Sequence, residues 1–95
     1  MDPEKLDDPM IAALGNVLRR HRKAKNLSQE ELARIAGRSM RYISLLESRR
    51  HQPTLDTLQR ISHALDMKLS ELVLEIELDV AQSKNLRIKP RTELS

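Results

Sequence analysis

The sequence predicts a single all-α domain, and three observations lead to that prediction. Its 95 residues are enough for one small domain and little more. Tyr42 is the only aromatic residue, so the core has to be built from Leu, Ile, Val, Met and Ala, which favours a helical bundle over a sandwich of sheets. Apolar residues also recur at helical spacing over most of the chain.

The composition limits the chemistry that the chain can perform. It has no cysteine, which excludes a disulfide framework, a thiolate metal site and a cysteine nucleophile. Gly15 and Gly37 stand in unrelated places, and the three histidines have no carboxylates at a useful spacing. We therefore predict no enzyme, no cofactor and no metal. No apolar run approaches the ~20 residues of a membrane span and no signal peptide is evident, so we expect a cytoplasmic protein.

Positive charge is concentrated in one part of the chain. Residues 10–51 carry ten Lys and Arg against three acids, a net charge of +7. Residues 1–9 have a net charge of −3, and residues 52–82 have −4. A basic segment of this kind is typical of nucleic-acid binding, although a merely solvated basic face is the simpler alternative.

The first helix is predicted from Met10 to Lys25. Its inner stripe consists of Ile11, Leu14, Val17 and Leu18. Asn26 follows, at a position where helices often end in a left-handed residue. We expect His21 to be a packed, hydrogen-bonded residue rather than a ligand. Residues 1–9, with two prolines and four acids, are predicted to be a disordered leader.

Two short helices joined by a tight turn are predicted next. The first begins with a capping box, in which Ser28 caps the amide of Glu31 and the Glu31 carboxylate returns to the amide of Ser28. Gly37 ends this helix, because a sharp change of direction usually needs a residue that tolerates positive φ. Its apolar face consists of Leu32, Ala33, Ile35 and Ala36.

Ser39 can cap the second short helix, which is predicted over residues 40–48. Ala33 lies where the two helices cross, and a larger side chain there would push them apart. The inward-facing residues of the second helix are Ile43 and Leu46, and the outward-facing ones are Arg41, Ser44 and Leu45.

Two more helices are predicted in the second half of the chain. Thr54 caps a fourth helix from about Leu55 to Leu65, and Asp66 follows it with some backbone strain. A fifth helix starts near residue 68 or 69. The inner face of the fourth helix consists of Leu55, Leu58, Ile61, Ser62 and Leu65.

The segment after this point has two interpretations. From Leu72 to Val80 apolar residues alternate with others at a period of two, which indicates a strand. The same segment also fits a continuing helix through Leu69, Leu72, Val73, Ile76 and Val80. In either case we expect the apolar residues beyond Val73 to serve dimerisation. We therefore divide the chain into a leader (1–9), a main domain (10–75) and a C-terminal extension (76–95).

Taken together, these residues resemble the helix-turn-helix of the Xre-type regulators, the lambda-repressor-like (Cro/CI-like) DNA-binding domains. The resemblance covers roughly residues 11–73 and is carried by residues 27–33, by Gly37 in the turn, by residues 42–44 and by Glu47. It implies a compact five-helix domain. It also implies a homodimeric, sequence-specific transcriptional regulator that binds a pseudo-palindromic operator in double-stranded DNA, with the helix at 40–48 in the major groove.

The resemblance also implies which residues contact DNA. By this resemblance, the residues that contact base edges are Met40, Arg41 and Leu45, with Ser44 beside them. Arg41 is the strongest candidate, because a guanidinium can bond O6 and N7 of guanine together. Tyr42 either contacts the backbone of the DNA or packs its ring against the second helix. The remaining expected contacts are Gln29, Arg38, Ser39, Arg49 and Arg50, with His51 nearby.

Arg22 and Glu47 occupy the positions of an ion pair in this family. On this chain the pair would join the first helix to the end of the recognition helix. If it is exposed, its contribution to stability is on the order of 1 kcal/mol or less. Its value would then lie in positioning.

A different class of function is open for the C-terminal segment. The exposed alternation at 72–80 would also suit an antitoxin-like interaction protein, whose tail binds a protein partner and whose DNA binding serves autoregulation. Co-purification of an unrelated polypeptide would favour that function. A symmetric homodimer would favour the dimeric regulator.

Overall fold

The structure, a computed structural model, describes residues 8–87, and these form five helices without a strand. The helices are α1 (Pro9–Ala24), α2 (Gln29–Ala36), α3 (Met40–Glu47), α4 (Leu55–Ala64) and α5 (Leu69–Arg87). The predicted all-α class is confirmed. None of the helices in this range is long and apolar enough to cross a membrane. The predicted leader lies outside the described residues except for its last two.

One hydrophobic core unites the five helices. Each helix contributes a side chain with no exposed surface: Leu18, Leu32, Ile43, Ile61 and Leu72. Burial of a leucine or isoleucine side chain stabilises a fold by roughly 1.5–3 kcal/mol. The aliphatic core that the composition required is therefore present, with α2 and α3 held between α1 and α4.

Side-chain caps begin four of these helices. Ser28 forms the predicted capping box, and Ser39 and Thr54 accept from the amides of α3 and α4. Asp8 does the same for α1, because its Oδ1 lies 2.7 Å from the Met10 amide. Asp8 and Pro9 were expected in the leader, and this boundary was wrong. Proline is favoured in the first turn because its missing N–H leaves no donor unsatisfied.

Four helices end in a left-handed residue. The next residue donates its amide to the carbonyl five positions back, as Leu27 does to Arg22 at 3.0 Å. The left-handed residues are Asn26 (φ 58°), Gly37 (φ 72°), Arg49 (φ 64°) and Asp66 (φ 59°). Asn26, Gly37 and Asp66 were predicted at these ends. Arg49 was not, and it is the residue least suited to this conformation.

Two apolar residues that were predicted to face the core are exposed instead. Ile35 is 47% exposed, since it lies outside the stripe that Leu32, Ala33 and Ala36 form on α2. Leu55 is 68% exposed at the first position of α4, and the buried residue of that turn is instead Thr57.

The strand interpretation of residues 72–80 was also wrong, because α5 continues as one helix from Leu69 to Arg87. Two apolar stripes, each with a spacing of four, run along opposite sides of it. Leu72 and Ile76 face the core, whereas Leu74 and Leu78 are more than half exposed. Because the two stripes are offset by two residues, together they place an apolar residue at every second position, which is the pattern expected of a strand.

Candidate nucleic-acid interface

The exposed face of α3 carries the residues predicted to read DNA. Ile43 and Leu46 are fully buried and fix the helix against the core. Met40, Arg41 and Ser44 are exposed on the opposite side. Within residues 8–87 the Arg41 side chain makes no hydrogen bond or ion pair, so its guanidinium is available to a ligand. Leu45 was expected to point outward, but it is only half-exposed.

A buried carboxylate lies at the C-terminal end of this helix. Glu47 accepts from Nε and Nη2 of Arg22, at 2.6 and 3.1 Å. The third arm of the Arg22 guanidinium, Nη1, donates to the carbonyl of Leu27 at 2.8 Å. The implied ion pair is thus present, and it joins α1, the loop before α2 and the end of α3.

Two further residues contact the same carboxylate. Nε2 of Gln29 donates to Oε1 of Glu47 at 2.9 Å, and Nε of Arg19 lies 3.6 Å from that oxygen. We refer to Arg19, Arg22, Gln29 and Glu47 as the Glu47 cluster. Gln29 was predicted to add a bond to a phosphate, and its bond to Glu47 was not predicted. Within residues 8–87 the second N–H of its amide makes no hydrogen bond.

The Glu47 carboxylate remains charged in this setting. Its burial raises its pKa, but the hydrogen bonds from Arg22 and Gln29 outweigh that effect and bring the pKa below its usual value. The pair with Arg22 is buried, not exposed. The small stability contribution expected for an exposed pair therefore does not apply, and removal of one partner would leave an uncompensated buried charge.

Arg38 ties the turn between α2 and α3 to α4. Its Nε and Nη2 donate to Oγ1 of Thr57 at 3.1 and 3.0 Å, and Nη1 donates to the Gly37 carbonyl at 2.9 Å. Nη2 also lies 3.3 Å from a carboxylate oxygen of Asp56. Thr57 is buried, so most donors of this guanidinium are engaged within the protein. No pattern in the sequence indicates this structural role.

The loop after α3 carries the remaining basic candidates. Arg49 is exposed in its left-handed conformation, and Arg50 follows it. The rings of His51 and Tyr42 pack edge to face, with centroids 4.8 Å apart and an interplanar angle of 69°. Tyr42 is half-buried against the core. The loop thus packs back on the first turn of α3.

The comparison with protein families identifies the family to which this domain belongs. A family model described as helix-turn-helix matches residues 18–72, which span α2, α3 and their turn. The chain belongs to this helix-turn-helix family. It is a DNA-binding regulator of transcription, and the predicted resemblance is confirmed.

The relatives of this helix-turn-helix protein include a phage control-region protein, a restriction-modification controller protein and a gene regulator. The ImmF control region 10 kDa protein of Bacillus phage phi105 is 37% identical over 59 residues, which cover 62% of this chain and 66% of that protein. The restriction-modification controller protein C.AhdI from Aeromonas hydrophila is 34% identical with a TM-score of 0.64, covering 65% and 94%. The clp gene regulator ClgR from Corynebacterium glutamicum is 30% identical with a TM-score of 0.70, covering 84% and 99%.

On its other side, α1 of this helix-turn-helix domain is bound to α5. Arg20 lies 3.2 Å from Glu75 and 3.6 Å from Asp79, and Nε2 of His21 lies 2.9 Å from Glu75. The contact with His21 is the main reason that the pKa of Glu75 lies below its usual value, with Arg20 adding to it. The hydrogen-bonded role expected of His21 is therefore present.

Proposed function

We propose that the protein regulates transcription by binding a pseudo-palindromic operator as a homodimer, with α3 of each copy in the major groove. The observation that carries this proposal is the exposed face of α3, where Arg41 has a guanidinium without a partner among residues 8–87. A guanidinium in that position suits the O6 and N7 atoms of one guanine, with about 1–3 kcal/mol of discrimination.

The other residues of the interface have supporting roles. Met40 has no strong hydrogen bond to offer and suits a thymine methyl group, and Leu45 offers a smaller apolar surface beside it. Ser44 is exposed and can act as a donor or an acceptor. The proposed contacts with the DNA backbone come from Gln29, Ser39, Tyr42, Arg49 and Arg50. Arg38 can add to them chiefly through its charge, because most of its donors are engaged by Thr57, Gly37 and Asp56.

The homodimer is supported by the outer stripe of α5. Leu74 and Leu78 are 53% and 57% exposed, and they lie on the opposite side of α5 from the core. A helix that is apolar on both sides is stable in water when both sides are covered. A second copy is the occupant that fits best, because one helix-turn-helix domain contacts only a half-site and the family reads symmetric sites as dimers.

The same stripe would serve the alternative function. An antitoxin-like protein would cover Leu74 and Leu78 with an unrelated polypeptide instead of a second copy. Sedimentation of the protein expressed alone distinguishes the two, since a stable symmetric dimer leaves this stripe unavailable to another chain.

Selection of binding sites from a randomised duplex pool tests the proposal. We expect enrichment of a palindrome whose half-sites contain a guanine, and loss of preference at that guanine in Arg41→Ala. Lys68→Ala is the matched control, because it removes the same charge at an exposed position between α4 and α5, away from α3. Retention of DNA without any enriched sequence would reject sequence-specific recognition.

A further inference from the structure

Two adjacent arginines of α1 have the same exposure and different neighbours. The Arg19 and Arg20 side chains are 53% and 54% exposed. Arg20 is neutralised by Glu75 and Asp79 of α5. Arg19 points instead to the C-terminal end of α3, where its Nε lies 3.6 Å from Oε1 of Glu47.

Only one edge of the Arg19 guanidinium faces Glu47. The contact is made through Nε, and no hydrogen bond engages the two Nη groups within residues 8–87. Nε2 of Gln29 contacts the same oxygen of Glu47. Both donor atoms lie within 3.6 Å of this one oxygen, so they are close enough to each other to bind the same phosphate group.

Glu47 itself is in no position to contact DNA. Its side chain is 1% exposed, and its charge is compensated by the two bonds from Arg22. It brings two donors from different helices to one oxygen, the half-buried amide of Gln29 through a hydrogen bond and the exposed guanidinium of Arg19 through an ion pair. An ordered guanidinium loses less rotational freedom when it binds a phosphate.

We propose that Arg19 binds a phosphate of the DNA backbone and that Glu47 is the positioning residue that orients Arg19 and Gln29 toward it. This inference rests on the proposed placement of α3 in the groove, which brings its C-terminal end and α1 close to the backbone. Arg20, one residue away, is directed to α5 and makes no such contact.

The sign of one substitution separates positioning from simple charge. A carboxylate near DNA repels phosphates, so its replacement by an amide should strengthen binding if only charge mattered. If Glu47 orients the two donors, Glu47→Gln should instead weaken binding. The weakening should shrink when Arg19 is already alanine, because the two substitutions then remove the same contact.

The test measures affinity against salt concentration for a fluorescent duplex of mixed sequence and about 20 base pairs, two helical turns. A backbone contact does not depend on sequence, so no operator is needed. Arg19→Ala is expected to reduce the slope of log K on log salt by about 0.9 for each copy bound, the value for one phosphate, and so by about 1.8 for a homodimer. Arg20→Ala, the matched control, should leave the slope unchanged.

Arg19→Lys separates the effect of the Arg19 charge from the effect of its contact with Glu47. It should retain the salt slope, because the charge remains, and lose part of the affinity, because a lysine lacks the Nε that contacts Glu47. Equal slopes for Arg19→Ala and Arg20→Ala, or stronger binding by Glu47→Gln, would overturn the inference. A wild-type protein that binds no duplex at any salt concentration would instead reject the proposed function.

Discussion

The Arg22 guanidinium and the Glu47 carboxylate meet inside the protein through two hydrogen bonds, although 25 residues separate them. Both residues are less than a tenth exposed. The pair joins the last turn of α1 to the last residue of α3. It therefore fixes α3, the helix proposed to read DNA, at the end opposite to the residues proposed to face the bases.

Arg22→Ala is expected to destabilise the protein by about 3–5 kcal/mol, because it leaves the Glu47 charge buried with only Gln29 and the more distant Arg19. Urea denaturation of the wild type and the variant measures this difference. Arg20→Ala is the control, since its exposed pairs with α5 should contribute about 1 kcal/mol or less. Similar losses in the two variants would contradict the role of burial.

The stability should also depend on pH through Glu47. The pKa of this carboxyl is lower in the folded protein than its usual value of 4.5, so the unfolded chain binds the proton more readily. The stability that Glu47 contributes is therefore complete above pH 4.5 and is lost as the pH falls through the folded pKa. Denaturation of wild type and Glu47→Gln between neutral and acidic pH should show a difference that shrinks with acid. A constant difference would refute this account.

Gly15 allows α1 to approach the end of α3. A Cβ added there would lie 3.0 Å from the carbonyl oxygens of both Leu46 and Glu47, which are backbone atoms. Gly15→Ala should gain about 1 kcal/mol of helix propensity. We expect the clash to exceed this gain, with a net loss of about 1–2 kcal/mol in the free energy of unfolding. Lys23→Ala, on an exposed part of α1, should change it by no more than about 0.5 kcal/mol.

Arg49 offers a way to separate stability from DNA binding. Its φ of 64° suits glycine, so Arg49→Gly should raise the free energy of unfolding by about 1 kcal/mol. Arg49→Ala removes the same charge without relieving the backbone. DNA affinity should fall equally in both variants if Arg49 contacts a phosphate, while thermal denaturation shows stabilisation in the glycine variant alone. Stabilisation by alanine to the same extent would contradict the backbone explanation.

The outer stripe of α5 is expected to carry the dimer. Leu78→Glu should shift the protein to monomers in analytical ultracentrifugation, because it places a charge in the proposed apolar contact. Leu55→Glu is the matched control, since Leu55 is similarly exposed at the start of α4. A dimer that survives Leu78→Glu would place the interface elsewhere.

Local chemistry made most of the fold predictable. Ser28 with Glu31, Ser39 and Thr54 are caps that act within three residues, and the inner stripes of α1 and α3 follow from helical spacing alone. Residues 72–80 could not be read in this way. One of their two apolar stripes packs on the core and the other is exposed, and a sequence does not say which stripe is buried.

The site was less predictable because its side chains are shared over long distances. Gln29 was expected to face a phosphate, since it begins a helix, but its amide also belongs to the Glu47 cluster. Arg19 and Arg20 are equivalent in the sequence, and only the packing of α1 between α3 and α5 distinguishes them. Arg38, in the turn between α2 and α3, is hydrogen-bonded to Thr57 of α4, which lies 19 residues further along the chain.

The contact between Tyr42 and His51 bears on the entropy of association. The loop between α3 and α4 is fixed at its start by the amide of Arg50, which donates to the Leu45 carbonyl at 2.9 Å, and at its next residue by the two rings. Its backbone is thus ordered before any DNA arrives. If Arg49 and Arg50 contact phosphates as proposed, binding has little chain freedom left to remove from this part of the loop, and more of the energy of those contacts remains as affinity.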